Sequence, residues 1–539
     1  MSAGTDGRPV ARDGALSHGA RTLRIGADFA AMTGGWLVRA ALGVVISVLT
    51  ARSLAPTDLG RYAFLVWLAG LLAVALSLGF PTTLTRYTAE AIGAARPRAA
   101  GALLGVVVRW QGALTLVAAA LVAAAAVATP AAWRLPLVLT ALTIPSLVLQ
   151  GSVGAFLSGL QSFRRQALLG MATLALQTAL FALVARSGGS VAGFLLAHAC
   201  ANAVGLAAVL LLARREARRA GALPASALDV TARAEVLRYA RSVSALVVLD
   251  ALVWQRTEVA FLQALATPAE VAFYALAFGV AAQVARIPYQ ASVVLFPSFP
   301  ALVGGGRVGE LAALHATAMR YLVLLGAPLA IGLAVTAPAI VRLLWGPLYT
   351  PAGAVLAVLA LGGLVASAAG ASPAVLHAMK RHDRLLGQGL LAAAVDVALA
   401  LLLVPVAGAL GAALANVAAQ TLASGLAIRA AVTAAGARVP AGALARIVAA
   451  ALVMGVVALV PAVTLGGGRG LLVAIVVGAV AYPLALRVLG ALTPEDLDRA
   501  RVLVERLPAP ARAGGLAMAG FLFRAPDPRP ARAPWSASR

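Results

Sequence analysis

The chain has 539 residues, of which 62% are hydrophobic and 12% are charged, and its formal net charge is +24. This composition excludes a sizeable soluble domain, because too few polar residues are present to cover one. It also argues against a nucleic-acid partner, because the arginines are spread over short segments between apolar stretches, where attraction to anionic membrane lipids explains them.

Apolar stretches that are long enough to cross a bilayer follow one another along almost the whole chain. A helical crossing needs about 20 apolar residues, because the hydrocarbon core is about 30 Å thick. The pattern predicts about 14 spans, at residues 31–51, 62–80, 101–128, 135–157, 166–186, 190–213, 242–263, 271–296, 318–345, 353–376, 386–404, 406–430, 444–466 and 470–488. The predicted fold class is therefore an all-α polytopic membrane protein.

Lysine and arginine fall mostly in alternate gaps between these spans. With the N-terminus placed inside, about 33 lie on one side of the membrane and about 5 on the other. This asymmetry predicts that both termini are cytoplasmic. The composition, rich in Ala, Gly and Arg with Lys380 as the only lysine, is typical of a GC-rich bacterial genome. We therefore expect a multi-pass protein of the bacterial inner membrane.

The longest gap between spans separates the sixth from the seventh and divides the chain into two sets of six spans. It is rich in arginine and contains the turn-prone sequence Gly-Ala-Leu-Pro at 221–224. The predicted organisation is a cytoplasmic N-terminal segment, an N-lobe, a cytoplasmic linker, a C-lobe, two additional spans, and a partly disordered cytoplasmic tail, at 1–30, 31–213, 214–241, 242–430, 431–488 and 489–539.

A short motif occurs at the corresponding hairpin of each half. Asp-x-Gly-x-Tyr-Ala at 58–63 matches Glu-x-Ala-x-Tyr-Ala at 270–275. In both copies an acidic residue begins a helix, where its charge complements the helix dipole. The repetition indicates parallel internal repeats of the kind that build transporters.

Several short motifs follow one another along residues 30–430. They are Ala-Arg-Ser-Leu-Ala-Pro-Thr-Asp-Leu-Gly-Arg-Tyr at 51–62, Leu-Gly-Phe at 78–80, Arg-Tyr-x-Ala-Glu at 86–90, Glu-Val-Ala-Phe-Tyr-Ala at 270–275, Phe-Pro-Ser-Phe-Pro at 296–300, Gly-Pro-Leu-Tyr at 346–349 and His-Ala-Met-Lys-Arg at 377–381. As a set they resemble the polysaccharide flippase family of the multidrug/oligosaccharidyl-lipid/polysaccharide (MOP) exporter superfamily.

The resemblance implies two pseudo-symmetric six-helix lobes around a central cavity that opens alternately to each side. It implies flipping of a polyprenyl-pyrophosphate-linked glycan for a surface polysaccharide such as lipopolysaccharide or exopolysaccharide. The implied partners are the lipid-linked oligosaccharide, membrane lipids, and polysaccharide polymerase or assembly proteins. The sequence departs from the family in being nearly free of lysine, so cationic contacts must come from arginine.

Charged residues inside the spans are the candidate substrate-binding residues, because a buried charge at bilayer depth usually faces a cavity or a partner. Arg39 lies too deep to reach the headgroups, and guanidinium suits bidentate binding of phosphate; the alternative is a structural pair with an acid on another helix. Asp250 and Arg256 project about 120° apart on one helix, so they do not neutralise each other there. Arg61 is either a cavity-rim residue or an interface anchor.

Carboxylates inside the spans are candidates for coupling transport to H⁺ or Na⁺. Asp396 and Asp250 lie deep in their spans, and Glu258 lies near the outer end of its span, where solvation alone is the alternative. Asp396 is alternatively paired with an arginine, or protonated and hydrogen-bonded. Snorkelling to the headgroups is a sufficient explanation for three arginines near helix ends, Arg109, Arg286 and Arg342.

The sequence contains none of the usual signatures of enzymes or metalloproteins. Cys200 is the only cysteine, no histidine has a second ligand at metal-site spacing, and no phosphate-binding loop is present. We therefore expect no cofactor, no metal and no enzymatic activity. Two alternatives to the flippase remain: an ion-coupled small-molecule or multidrug antiporter of the same superfamily, and a non-transporting membrane scaffold. Arginines in the cavity favour the flippase, because cationic drugs require acidic walls.

Overall fold

The computed structural model describes residues 35, 38–224, 234–240, 243–244, 257–295, 298–492, 496 and 512, and all regular structure in them is helical. Eleven helices of the described residues are long and apolar enough to span a bilayer, which confirms the predicted all-α polytopic membrane protein. In chain order the helices are α1 (38–53), α2 (Pro56–Ser77), α3 (Phe80–Gly93), α4 (Pro97–Ala125), α5 (Ala131–Gly159), α6 (Phe163–Arg186), α7 (Val191–Arg219), α8 (234–240), α9 (Glu258–Leu265), α10 (Pro268–Leu295), α11 (Ser298–Gly304), α12 (Val308–Trp345), α13 (Ala352–Ala369), α14 (Ser372–Ala378), α15 (His382–Ala435), α16 (Ala441–Thr464) and α17 (Gly467–Val488).

The long helices follow the predicted spans, except at α15 and at the span 242–263, and the short helices α3, α8 and α11 lie between the predicted spans. α15 covers two predicted spans in one element and is broken inside at Gly408, whose backbone angles (φ 50°, ψ −128°) are not helical. The predicted span 242–263 lies mostly outside the described residues, which resume at 257.

The chain divides into two compact units. Among the described residues, unit 1 contains those up to Ser53 and those from Ala69 to 244, and unit 2 contains Leu54–Leu68 and the residues from 257 onward. The first part of α2 therefore belongs to the same compact unit as α9–α17.

In unit 1, α3 is an amphipathic helix that hydropathy did not predict, because its 14 residues are too few to span a bilayer. Its apolar face packs in a cluster with α4, α5 and α8, formed by Phe80, Leu84, Leu103, Val107, Ala155, Val236 and Ala240. Gly79 precedes α3 in a left-handed conformation (φ 66°), which glycine adopts at low cost. A Cβ at Gly79 would lie 2.9 Å from the carbonyl oxygen of Ala240, so the small residue also permits close approach to α8.

The motif residues of α3 bind α8, which belongs to the predicted linker 214–241. The Arg86 guanidinium lies 4.6 Å from the centre of the Tyr239 ring, within the range of a cation–π interaction. The Tyr87 hydroxyl donates to Glu235 Oε1 at 3.2 Å. Burial and the neighbouring Glu235 carboxylate raise the pKa of Tyr87, so the hydroxyl remains a donor at neutral pH. The described end of the linker is thus attached to α3.

In unit 2, the two copies of the repeated motif lie against each other. A Cβ at Gly60 would overlap the carbonyl group of Pro268, with 2.5 Å to its carbonyl carbon. The Tyr349 hydroxyl donates to the carbonyl oxygen of Leu54 at 2.8 Å. Burial raises the pKa of Tyr349, so the hydroxyl stays protonated and the bond persists at physiological pH. The start of α2 is therefore held by close packing against α10 and by one buried hydrogen bond.

The two additional spans, α16 and α17, pack on α12 of unit 2. Their shared core is formed by Val323, Ala327, Ile331, Ile447, Ala450, Ala451, Met454, Ala485, Leu486 and Ala491. After α17, the Asp496 carboxylate accepts hydrogen bonds from the Arg320 guanidinium and the Tyr321 hydroxyl of α12. Arg320 is 13% exposed and Asp496 only 5%, so this is a partly buried ion pair that attaches the start of the tail to α12.

Candidate functional site

A cavity of about 290 Å³ lies in unit 2 between α10, α13 and α15. Most of its wall is apolar, with alanine, glycine, leucine and aromatic side chains. The side chains with polar groups are Arg286 and Tyr289 from α10, Ser367 from α13, and Asn416 and Gln420 from α15. Pro288 also lines it and stands inside α10, where it removes a backbone hydrogen bond. The cavity combines one cation with several neutral hydrogen-bonding groups.

Two acidic side chains meet close to this cavity, within unit 2. Glu258 at the start of α9 is 1% exposed and Asp396 in the first half of α15 is 5% exposed. The Asp396 carboxyl lies beside the side chains of Glu258 and Thr257. Two carboxyl groups in contact in a site of low polarity do not both carry a negative charge. The pair is therefore a candidate site for a proton or a cation.

The cavity and the carboxyl pair are joined by two amide side chains. Asn416 Nδ2 donates to Glu258 Oε1. Gln420 Nε2 donates to Asn416 Oδ1 at 2.6 Å, as expected for polar residues four positions apart on one helix face. Because Asn416 and Gln420 also line the cavity, a hydrogen-bonded path connects the cavity wall to Glu258 of the carboxyl pair.

The break in α15 makes this arrangement possible. Asp396 precedes the break at Gly408 and Asn416 follows it, so the two halves fold back on each other and bring both side chains to Glu258. A Cβ at Gly411 would lie 2.5 Å from the carbonyl carbon of Leu403, which shows how closely the halves approach. Glycine at 408 and 411 is therefore a structural requirement of the site.

The structure brings together only some of the residues that the sequence predicts. Glu258 and Asp396 are in contact, and the solvation alternative for Glu258 is wrong, because α15 covers the side chain. Arg61 Nη1 lies 3.2 Å from Asp58 Oδ1, so its charge is balanced within its own helix. Arg39 is exposed, and its Nη1 passes 3.9 Å from the position of a Cβ at Gly170 on α6. Its role in substrate binding stays a prediction.

Two predicted site residues cannot be placed, and three residues line the cavity that were not among the predicted site residues. Asp250 and Arg256 lie outside the described residues. Arg286 lines the cavity and is exposed, so a role in the cavity is open to it beside snorkelling. Asn416 and Gln420 were not predicted, because the sequence analysis considered ionised residues only. Their i, i+4 spacing in an apolar span was the available signal.

Solved structures with the same fold are membrane transporters. A lipid II flippase, MurJ, in an inward closed conformation, superposes with a TM-score of 0.68 over 85% of this chain and 98% of that chain, at 13% sequence identity. An inward-facing multidrug resistance MATE family transporter of the MOP superfamily gives a TM-score of 0.61 over 74% and 98% of the two chains, at 12% identity. A eukaryotic MATE transporter, AtDTX14, gives 0.51 over 76% and 98%, at 14% identity.

These likenesses establish the fold, and the sequence adds the family. No curated protein is significantly similar to the chain in sequence. The family model described as "polysaccharide biosynthesis protein", however, matches residues 25–303, which is more than half of the 539 residues. The chain is thus a multi-pass membrane protein with the fold of the MOP transporters, and it belongs to the polysaccharide biosynthesis protein family.

Proposed function

We propose that this chain flips a polyprenyl-pyrophosphate-linked glycan across the bacterial inner membrane by alternating access, for surface polysaccharide biosynthesis. Family membership supports a substrate on the route to a polysaccharide, and the transporter fold supports movement across the membrane. In this proposal both termini are cytoplasmic, and the lipid tail stays in the bilayer, whose hydrocarbon core matches its apolar surface.

The observation that carries the proposal is a cavity wall that combines Arg286 with Asn416 and Gln420, the two amides being hydrogen-bonded in series to the buried Glu258. Arg286 supplies a planar cation that suits phosphate oxygens, and Asn416 and Gln420 supply amide groups that suit sugar hydroxyls. The cavity volume of about 290 Å³ is at the lower end for ligand pockets. It fits a pyrophosphate group and the proximal sugar better than a whole glycan.

The carboxyl pair supplies a means of coupling. A proton or Na⁺ bound by Glu258 and Asp396 changes the charge of the pair, and Asn416 transmits that change to Gln420 in the cavity wall. An ion moving across the membrane contributes about 2.3 kcal/mol per charge per 100 mV, which is enough to bias the direction of transport. Asp250 remains a predicted member of this ion site, and Arg39, Arg61 and Arg256 remain predicted headgroup contacts.

The charge of the cavity argues against a drug antiporter. A cationic drug entering this cavity would meet the Arg286 guanidinium, while the two acidic side chains nearby are buried. Like charges in a site of low polarity repel strongly. An anionic headgroup gains from the same arginine.

Flipping of a fluorescent lipid-linked oligosaccharide in proteoliposomes tests this proposal. Arg286→Ala removes a charge-assisted hydrogen bond, so we expect the flipping rate to fall about tenfold or more. Arg342→Ala is the matched control, because Arg342 also lies near a span end but does not line the cavity, and its rate should stay at the wild-type value. Equal rates for the two variants would contradict the assignment of Arg286, and drug efflux without glycan flipping would favour the antiporter.

A further inference from the structure

Glu270 of the repeated motif forms a contact that its position at the start of α10 does not require. Its Oε2 accepts a hydrogen bond from the backbone N–H of Ala409 at 2.7 Å. Ala409 directly follows the break in α15. A Cβ at Gly408 would lie 2.6 Å from the same Oε2, so the carboxylate occupies the space that the missing side chain leaves.

This hydrogen bond caps the second half of α15. The first N–H groups of a helix have no partner within the helix, and a nearby side-chain oxygen usually accepts from them. At this break the acceptor is a side-chain oxygen that comes from another helix. The start of the second half is therefore fixed to the start of α10.

The capped segment carries the amides of the candidate site. Asn416 lies seven residues after Ala409, which is about two helical turns and places both on one face of the helix. Asp396 lies in the first half, which the close approach of Gly411 to Leu403 holds against the second. A shift at Ala409 therefore moves Asn416 relative to both Asp396 and Glu258.

We infer that Glu270 is the positioning residue of the carboxyl pair: by capping α15 at Ala409, it sets the place from which Asn416 donates to Glu258. This inference rests on the proposed coupling role of Glu258 and Asp396. It also explains why an acidic residue with the longer side chain stands in the second copy of the motif, because Glu270 must reach across to another helix.

The first copy of the motif provides a natural control. Asp58 occupies the position that corresponds to Glu270, and its Oδ1 pairs with Arg61 three residues along the same helix. Asp58→Ala removes an equivalent first-turn charge without touching α15. Its effect on the carboxyl pair should be absent.

Two conservative variants distinguish the two possible roles of Glu270, which are to accept the hydrogen bond from Ala409 and to place a negative charge at the start of α10. Glu270→Gln keeps an oxygen at the same reach and loses the charge, while Glu270→Asp keeps the charge and shortens the reach by one methylene. If Glu270 caps Ala409, Gln should behave like the wild type and Asp should be defective. If Glu270 only complements the dipole of α10, the order should reverse.

The first measurement is labelling of Glu258 and Asp396 by dicyclohexylcarbodiimide, which reacts with protonated carboxyl groups and is followed by mass spectrometry across a pH series. In Glu270→Asp the midpoint of labelling should shift by about 1 pH unit to higher pH, a tenfold increase in proton affinity, because Glu258 loses the hydrogen bond from Asn416. Glu270→Gln and Asp58→Ala should keep the wild-type midpoint. A wild-type midpoint in Glu270→Asp, or equal shifts in the Asp and Gln variants, would overturn the inference.

The second measurement is ion-dependent flipping in proteoliposomes. Glu270→Asp should lower the half-saturating H⁺ concentration about tenfold, because Glu258 loses the donor that stabilises its charged form. If Na⁺ is the coupling ion, its half-saturating concentration should rise. In both cases the maximal rate should stay unchanged, whereas general damage would lower it. The labelling does not depend on transport. If wild-type flipping ignores both ions, the coupling proposal fails while the labelling still tests Glu270.

Discussion

The close contact at Gly60 gives a sharp test of how the repeated motif holds α2 against α10. We consider Gly60→Ala, which adds one methyl group to the helix. The new Cβ would lie 2.5 Å from the carbonyl carbon of Pro268 and would overlap the carbonyl oxygen. Ordinary carbon–oxygen contacts need about 3.3 Å, so the two helices must separate.

The cost follows from what that separation exposes. Leu65 is 0% and Leu59 is 3% exposed, and both lie on the part of α2 that would move. Overpacking of a well-packed core costs about 1–3 kcal/mol, and the Pro268 backbone has no rotamer that relieves the overlap. We therefore expect Gly60→Ala to lower the free energy of unfolding by about 2–3 kcal/mol.

Gly70→Ala is the matched control on the same helix, because a Cβ at Gly70 would have no atom within 4 Å. Replacing a helical glycine by alanine there should stabilise the protein by about 0.5–1 kcal/mol. Thermal unfolding of the purified variants in one detergent, followed by tryptophan fluorescence, should rank Gly70→Ala at or above wild type and Gly60→Ala clearly below. Equal melting temperatures for the two alanine variants would refute the packing argument.

Three further predictions concern the arginine of the first span, a buried hydroxyl and the topology. Arg39→Ala should abolish surface glycan, measured on immunoblots of cells, at an unchanged protein level. Arg39→Lys should restore the glycan only partly, because an ammonium group lacks the planar, two-pronged donor geometry of guanidinium. Normal glycan in cells with the alanine variant would remove Arg39 from the site. Tyr349→Phe should cost about 1–3 kcal/mol, because it leaves the Leu54 carbonyl unsatisfied, whereas Tyr289→Phe, at a side chain 61% exposed, should leave the melting temperature unchanged. Single cysteines at 57 and 215, introduced into a Cys200→Ser background, should label from opposite sides of intact membranes with an impermeant maleimide, and labelling of both from one side would contradict the predicted topology.

The sequence was sufficient for the fold because a bilayer imposes length and hydrophobicity on each span separately. Even the boundary between the predicted spans 386–404 and 406–430 falls beside Gly408, because Pro405 and the glycine interrupt the apolar pattern. The helix α3 was missed for the converse reason, since an amphipathic helix that lies beside the bundle satisfies no span criterion.

The candidate site was only partly predictable. Glu258 and Asp396 each stand out as acids in apolar spans, but their contact depends on how α9 packs against α15, which no local pattern specifies. Asn416 is uncharged, so the cost of burying a charge did not single it out. The sequence analysis assigned Arg286 to the headgroup region because it lies near a helix end. Its position in the cavity wall depends on how α10 packs against α13 and α15, which the sequence pattern does not specify.

The central claim is that a lipid-linked glycan crosses the membrane at a rate set by an ion at the Glu258–Asp396 pair. The most direct measurement is flipping of the fluorescent polyprenyl-pyrophosphate oligosaccharide in proteoliposomes, with and without an imposed H⁺ or Na⁺ gradient, for wild type and Asp396→Asn. The account predicts that one gradient accelerates wild-type flipping and leaves the Asp396→Asn rate unchanged. Flipping that ignores both gradients in the wild type, or a gradient response that survives in Asp396→Asn, would contradict it.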